Sequence, residues 1–310
     1  MNSGQTIILS GGVGGAKLVL GMSHVLAPEQ LTVITNTGDD FNHYGLRICP
    51  DIDTALYTLS GLSDQEKGWG RAEETWRFMQ ALTALGGEGW FNLGDTDLAL
   101  HLIRTQSLAE GKTLTEVTRM LANTMGIELT LLPMTNDRVA TQVMTKSGQL
   151  DFQHYFVRDQ CHPKVTGFSF QGLSEASTNP QLICSLESQP EAIIFAPSNP
   201  YVSIDPIIKL PGLLSKMRQS HTPIVAVSPI VGGAAIKGPA AKMMLELGLE
   251  VSPLAVAEHY KGVIHGLVID EQDKKYASAI ESLGLAVQIA PTIMHDLSSR
   301  INLAQTCLDF

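Results

Sequence analysis

The chain has 310 residues, 44% hydrophobic and 17% charged, which is enough for one large buried core or two modest ones. Its formal net charge of −10 excludes a general nucleic-acid or membrane-surface binder, though not a phosphorylated ligand held locally. Cys49, Cys161, Cys184 and Cys307 lie without close pairs and the histidines show no HExxH-type spacing, which argues against a zinc site or a disulfide framework. No apolar run reaches membrane-spanning length and the chain enters a strand without a signal core, so a cytoplasmic protein is expected.

Thr6 to Ser10 is a short, β-branched, apolar run that reads as a buried parallel strand. Gly11-Gly12-Val13-Gly14-Gly15-Ala16-Lys17 follows, and then Leu18, Val19, Leu20, Met22, Val25 and Leu26 recur at helical spacing. A glycine turn between strand and helix leaves backbone N–H groups unpaired at a helix N-terminus, with no Cβ atoms to block a ligand. That is an anion site, usually for phosphate, and Lys17 adds a point charge beside it. The alternative is a turn that serves only close strand–helix packing. The P-loop pattern fails because Leu18, not Ser or Thr, follows Lys17, and the dinucleotide pattern fails because Lys17 occupies its third glycine position.

Leu31 to Thr35 is a second buried strand, ending in Asn36-Thr37-Gly38-Asp39-Asp40. Side chains at the C-terminal end of a strand face the crevice of an open α/β sheet. Adjacent carboxylates there can hold a hydrated Mg²⁺, accept from a ribose hydroxyl, or simply cap a turn. In Cys49-Pro50-Asp51-Ile52-Asp53-Thr54, either Asp51 or Asp53 can cap a helix expected over Ala55 to Leu59. Capping needs one carboxylate, so the second is a candidate ligand.

Residues 61 to about 127 read as mostly helical: Arg71 to Leu85, a helix from near Asp95, and Thr113 to Met125 with Thr113 and Glu116 as a capping box. Trp90-Phe91-Asn92-Leu93-Gly94-Asp95-Thr96-Asp97 places two aspartates at a helix start beside an aromatic pair, where a flat ring can pack. From 128 to 170 the period changes. Glu128 to Leu132, Val139 to Thr145, Leu150 to Val157 and Val165 to Phe170 read as strands of an antiparallel addition, with a hairpin turn at 146–149.

From about 180 the strand–helix alternation returns. Glu191 to Ala196 is a strand ending in Pro197-Ser198-Asn199-Pro200, whose Ser and Asn can bond a phosphate or a base, or make plain turn chemistry. A helix is expected near Pro206 to Gln219 and a strand over Pro223 to Val227. The Gly232-Gly233 turn, with Lys237 just beyond, echoes the first glycine loop. Val263 to Ile269, a helix over Glu271 to Leu283, the strand Leu285 to Ala290 and a helix from Met294 complete the chain. The pattern predicts an α/β protein with a Rossmann-like, doubly wound, largely parallel sheet. Residues 1–60 and 180–310 are read as its core, and 61–179 as a helical and β-hairpin insertion covering the crevice.

GGVGGAK, NTGDD, CPDIDT, LGDTDLA, APSNPYVSIDPI and SPIVGG, in this order, make the chain resemble the 2-phospho-L-lactate transferase family of coenzyme F-420 biosynthesis. The resemblance implies a cytoplasmic homodimer that needs Mg²⁺. It implies transfer of a phosphorylated three-carbon acid (phospholactyl, enolpyruvyl-phosphate or phosphoglyceryl) from a guanosine diphosphate-linked donor. The acceptor is the ribityl hydroxyl of 7,8-didemethyl-8-hydroxy-5-deazariboflavin, and GMP is released. By the same resemblance Asp53 and Asn92 correspond to deazaflavin-binding positions, with Asn92 replacing the Lys or Arg of other members. Asp39 corresponds to the metal ligand, with Asp40 beside it. Gly11, Gly12, Gly14, Gly15, Lys17, Ser198 and Asn199 correspond to contacts of the donor's phosphates and nucleotide. Asp53 is expected to orient the acceptor hydroxyl or take its proton late, with direct transfer and no covalent enzyme intermediate. Two other readings share parts of the pattern. A related, non-catalytic family of sugar-nucleotide-binding growth factors also has a glycine-rich start and an aspartate pair. A nicotinamide-dependent oxidoreductase shares the strand–glycine–helix opening.

Overall fold

The computed structural model describes residues 4–310. The chain begins with β1 (Thr6–Ser10), α1 (Gly12–Ser23) and β2 (Leu31–Thr35), then a small antiparallel hairpin of β3 (Phe41–His43) and β4 (Leu46–Ile48). Helices α2 (Pro50–Leu59), α3 (Arg77–Ala84), α4 (Asp97–Ala109) and α5 (Leu114–Thr124) lead to β5 (Thr130–Pro133). Strands β6 (Ala140–Thr145), β7 (Gly148–Asp151) and β8 (Val165–Gln171) make a separate antiparallel sheet in the order β7-β6-β8. The alternation resumes with α6 (Pro180–Glu187), β9 (Ala192–Phe195), α7 (Asp205–Ile208), α8 (Leu213–Gln219) and β10 (Ile224–Val227). A short hairpin of β11 (Ile230–Val231) and β12 (Ala234–Ala235), then α9 (Ala240–Glu246) and α10 (Pro253–His259), precede β13 (Gly266–Ile269). Helix α11 (Ala277–Glu281), strand β14 (Ala286–Ile289) and helix α12 (Leu297–Leu308) follow.

The main sheet runs β14-β13-β10-β9-β1-β2-β5, and every pairing in it is parallel. From β1 the chain winds outward through β2 and β5, then returns to β9 and winds the other way through β10, β13 and β14. The order therefore reverses between β1 and β9, and the C-terminal ends of these two strands open the ligand crevice of a doubly wound, Rossmann-like fold. Alternate residues of each strand enter different cores. Ile7, Leu9, Ile193, Phe195 and Leu267 face one, while Ile8, Val33, Ile194, Val225 and Val268 face the other. Strands buried on both faces are why these runs are continuously apolar.

Several elements depart from the sequence expectations. Glu128 to Leu132 was expected in the antiparallel addition, but β5 pairs in parallel with β2 as an edge of the main sheet. Helix α2 starts at Pro50, not Ala55, because proline at the first helical position loses no intrahelical bond. The helix expected from Arg71 starts only at Arg77. The helix expected near Pro206 to Gln219 divides into α7 and α8 at Gly212, whose φ is +76°. The strand expected over Leu150 to Val157 stops at Asp151 and passes into a turn of π-helix, His154–Arg158. Gly232 and Gly233, with φ of +58° and +78°, form the tight turn between β11 and β12. This is hairpin geometry that only glycine-like residues adopt easily, unlike the strand–turn–helix of the first loop.

Candidate active site

Helix α1 starts at Gly12 itself, with Gly11 as its extended N-cap residue. The glycines there do two different jobs. A Cβ on Gly15 would lie 2.4 Å from Ser10 Oγ and 2.7 Å from Ser198 Oγ, and one on Gly14 would lie 2.8 Å from the Pro197 carbonyl. These two let α1 pack directly on the turn after β9. Gly12 has φ +64° and open space where a side chain would project, so it keeps the crevice clear. The first backbone donors have partners within the protein. Gly11 N–H donates to Ser198 Oγ (3.1 Å), and Gly12 N–H donates to Asp51 Oδ1 (2.7 Å).

The strand ends meet around that turn. Ser198 Oγ–H donates back to the Gly11 carbonyl (2.7 Å), tying the ends of β1 and β9 together. Asn199 accepts from Tyr201 N–H (3.0 Å) and so caps the turn that follows. Asn36, after β2, donates to Asp51 Oδ2 (3.0 Å) and accepts from Gly38 N–H (2.7 Å). The Asp39 turn is clamped by the antiparallel sheet and its extension, since Thr141 N–H donates to the Gly38 carbonyl (2.6 Å) and Gln153 Nε2 to the Asp39 carbonyl (3.2 Å).

Asp39, Asp40, Asp51 and Asp53 are all buried here. Burial, then the charges of Asp51 and Asp40, push the Asp39 carboxyl well above the ordinary aspartate range. Burial raises Asp51 to about 6, against the bonds from Asn36 and Gly12. Asp40 is also raised to about 6 by burial, although Arg47 pairs with its Oδ2 at 2.9 Å. Among the described residues, eleven buried side-chain polar atoms lack a partner, and four of them (Thr37 Oγ1, Asp39 Oδ1, Asp40 Oδ1 and Thr141 Oγ1) lie in this one turn and its clamp. Two buried carboxylate oxygens without a partner, Asp39 Oδ1 and Asp40 Oδ1, on adjacent residues fit a cation. Among the described residues no group of three His, Cys, Asp or Glu side chains converges as a metal cage. Mg²⁺ needs less than that, since one or two carboxylates plus substrate phosphate and water suffice. Asp39 and Asp40 meet that requirement, each keeping one carboxylate oxygen without a partner, whereas both oxygens of Asp51 already accept bonds from Gly12 N–H and Asn36.

Asp53 lies two residues beyond Asp51 in the first turn of α2 but belongs to a different network. Arg104 Nη1 donates to Asp53 Oδ2 (3.1 Å), and Nη2 engages Oδ1. Arg104 Nη1 also lies 3.3 Å from His101 Nδ1, and His101 Nε2 lies 3.0 Å from Asp97 Oδ2. The arginine can only donate, so His101 Nδ1 accepts and Nε2 carries the proton toward Asp97. Tyr57 hydroxyl closes the chain on Asp97 Oδ1. Burial would raise Asp97, but the bonds from His101 and Tyr57 outweigh it and hold its carboxyl below the ordinary value. The sequence reading missed His101 and Arg104. Their signal was the spacing Asp97, His101, Arg104 along one face of a helix.

The two aspartates of LGDTDLA thus have separate duties. Asp95 caps α3 by accepting from Phe78 N–H (3.0 Å) and Arg77 N–H (3.2 Å). Glu74 reciprocates at the start of α4, accepting from Thr96 N–H (2.8 Å) and Asp97 N–H (2.7 Å). Trp90 and Phe91 join an aromatic cluster with β3: Phe41–Phe91 centroids are 4.8 Å apart, His43–Trp90 5.1 Å and Trp90–His154 4.8 Å. Asn92 is exposed beside this cluster. Lys17 is half-buried in the second turn of α1, its Nζ donating to the Met294 carbonyl (3.2 Å).

A solved structure of a UPF0052 family member from Bacillus halodurans shares the fold, with a TM-score of 0.64 at 13% identity, covering 99% of this chain and 100% of that one. Among sequence relatives, the 2-phospho-L-lactate transferase of Methanosarcina acetivorans is 40% identical over 299 residues, 96% of each chain. The phosphoenolpyruvate transferase of Streptomyces griseus is 37% identical over 311 residues, 98% of each chain. The family profile described as 2-phospho-L-lactate transferase CofD matches residues 6–302, and the chain belongs to that family.

Proposed function

We propose that the protein transfers a phosphorylated three-carbon acid from a guanosine diphosphate-linked donor to the ribityl hydroxyl of 7,8-didemethyl-8-hydroxy-5-deazariboflavin, releasing GMP. The reading is supported above all by the meeting, at the reversal of strand order, of the α1 glycine turn with the buried carboxylates of Asp39, Asp51 and Asp53. In the reaction the acceptor oxygen bonds to the phosphorus that carries the three-carbon acid. The bond from that phosphorus to GMP's phosphate oxygen breaks, GMP keeps the electron pair, and the hydroxyl proton leaves to a base.

Such a transfer asks the protein for positioning and charge neutralisation rather than for a covalent nucleophile. Asp39 and Asp40 would hold Mg²⁺, which when bound offsets the charge of the transferring phosphate, with Asp51 fixing the Gly12 and Asn36 turns beside them. Gly12 leaves room for the donor against the start of α1. Gly14 and Gly15 fix the helix against Ser198, and Asn199 shapes the adjoining turn. Asp53 is held in one orientation by the Arg104 fork and keeps lone pairs for the acceptor's hydroxyl. The aromatic cluster of Phe41, Trp90 and Phe91, with Asn92 on its rim, gives the deazaflavin ring a flat apolar wall. In this reading residues 61–179 roof the acceptor. The protein acts in the cytoplasm as a homodimer, for which exposed Leu85, Leu102 and Ile103 offer apolar surface.

The test is a one-pot reaction of the protein, Mg²⁺, deazaflavin precursor, guanosine triphosphate and a donor-making guanylyltransferase. Separate tubes receive 2-phospholactate, phosphoenolpyruvate or 3-phosphoglycerate. The reading predicts a phosphodiester-linked deazaflavin by mass spectrometry in at least one tube. Nucleotide binding with no product in any tube would instead favour a regulator.

A further inference from the structure

A recess of about 190 Å³ lies between β4, the connection from α4 to α5 and the turn after β5, lined by Arg47, Leu108, Leu114, Asn136 and Arg138. Its polar walls are all donors. Arg47 gives Nη2 to Asp40 at 2.9 Å and lines the recess with the same side chain. The Arg47 backbone is held from α4, by Thr105 Oγ1 (2.8 Å) and Arg104 Nη1 (3.3 Å), so its guanidinium is presented from a fixed point. Arg138 forms no ion pair among the described residues. Asn136 Oδ1 accepts from Thr115 N–H (2.9 Å) and from the Thr115 hydroxyl (2.8 Å), which itself accepts from Asn179 Nδ2 (2.8 Å). A backbone N–H can only donate, so the oxygen of Asn136 is the engaged end and its Nδ2 hydrogens are left for the recess. The carboxylates nearest in the chain are used elsewhere. Asp137 accepts from Ser177 N–H (2.7 Å) and Glu116 from Thr113 N–H (2.8 Å).

Two guanidinium groups, a free amide donor, two leucines and no acid suit a small anion with a hydrocarbon flank, and the planar fork of arginine matches a carboxylate. We propose that this recess takes the carboxylate of the three-carbon acid carried by the donor, with Arg47 and Arg138 as its cationic walls and Asn136 as a third donor. The inference rests on the transferase reading and deepens it by naming the class of acid. Arg47 joins the recess to Asp40 of the proposed cation site, so the carboxylate and the transferring phosphate would sit on either side of one ion pair. In lactate or enolpyruvate joined to GDP through the oxygen on C2, the carboxylate is attached to the carbon that bears the phosphate ester. In glycerate joined through C3, a further carbon separates the two groups and carries a hydroxyl. Leu108 and Leu114 can pack on a methyl or methylene but offer that hydroxyl no partner. The recess therefore selects a C2-linked acid.

Calorimetric titration of the full chain with GDP, GDP-linked lactate and GDP-linked glycerate in Mg²⁺ buffer tests this. The wild type is expected to hold the lactate-linked donor at least about tenfold more tightly than the glycerate-linked one. Arg138→Gln should weaken the lactate-linked donor at least about tenfold while GDP affinity and melting temperature stay unchanged. Arg138→Lys should recover only part of the loss, because it lacks the fork. Asn136→Asp keeps an oxygen for Thr115 and sets a like charge before the ligand's carboxylate, so it should act in the same direction. Both side chains are exposed, so both variants are expected to fold. Lactate-linked donor affinity unchanged in Arg138→Gln and Asn136→Asp would overturn the subsite. An equal fall in GDP affinity by folded variants would overturn it too, giving the recess to the nucleotide instead. A wild type that prefers the glycerate-linked donor would overturn the choice of acid. Protein that binds the donor through Arg138 but forms no phosphodiester keeps the subsite and loses the transferase. Protein that makes the product with donor affinity indifferent to both substitutions does the reverse.

Discussion

Gly12 and Gly15 look alike in the sequence but fail differently when substituted. Gly15→Ala drives a methyl into Ser10 and Ser198 and should cost about 1–3 kcal/mol of stability, by overpacking. Gly12→Ala meets no atom and should cost about 1–2 kcal/mol, from its left-handed backbone alone. Urea denaturation measures each loss, and hydrogen exchange at Gly11 N–H separates the two, because only Gly15→Ala should loosen its bond to Ser198. Asp97 makes a second prediction at this scale. Asp97→Asn changes what both Tyr57 and His101 can bond, and should lose about 2 kcal/mol. The Asp97 carboxyl is lowered in the folded state, so its stabilisation is fully present above about pH 4, the unfolded aspartate range, and is lost as pH falls through the lowered value. Acid unfolding of Asp97→Asn should accordingly be less steep than that of the wild type below that pH. Equal steepness would remove Asp97 from the account.

At the scale of elements, α4 positions α2. His101 and Arg104 lie on one face of α4, and Arg104 is fully buried against Asp53 in the first turn of α2. Arg104→Met leaves a buried carboxylate without its partner and should cost about 3–5 kcal/mol, most of which Asp53→Asn in the same chain should restore. A thermal and chemical denaturation cycle of the two substitutions measures that coupling, and additive losses would contradict it. This partnership was not legible in the sequence, because 51 residues separate Asp53 from Arg104 and the spacing that puts Asp97, His101 and Arg104 on one face of α4 does not say that the face is buried against α2. What was legible were the local devices. The apolar runs of β1 and β2, the Thr113–Glu116 capping box of α5 and the glycine turn all act within one or two turns of chain. The misreadings share a cause. Whether β5 joined a parallel or an antiparallel sheet, and where α3 and the α7–α8 break fell, depended on tertiary partners that periodicity does not record.

At the scale of the molecule, the doubly wound sheet brings four distant segments to the reversal between β1 and β9: the turns after β1, β2 and β9, and the start of α2. The strand order follows from alternation and from right-handed crossovers, so the crevice was legible once the glycine turn was placed at a strand end. The burial of four aspartates in it was not, because a carboxylate in a turn motif looks the same whether it faces water or another carboxylate. The account's central claim is that these carboxylates support a direct, Mg²⁺-assisted phosphodiester-forming transfer. The most direct measurement is turnover on purified guanosine diphosphate-linked donor and deazaflavin, with GMP and product quantified together for the wild type and Asp39→Asn, with Mg²⁺ and with EDTA. The account predicts one GMP per phosphodiester product, loss of turnover in EDTA, and a fall of at least about a hundredfold in Asp39→Asn. Turnover that is indifferent to both EDTA and Asp39→Asn would contradict it.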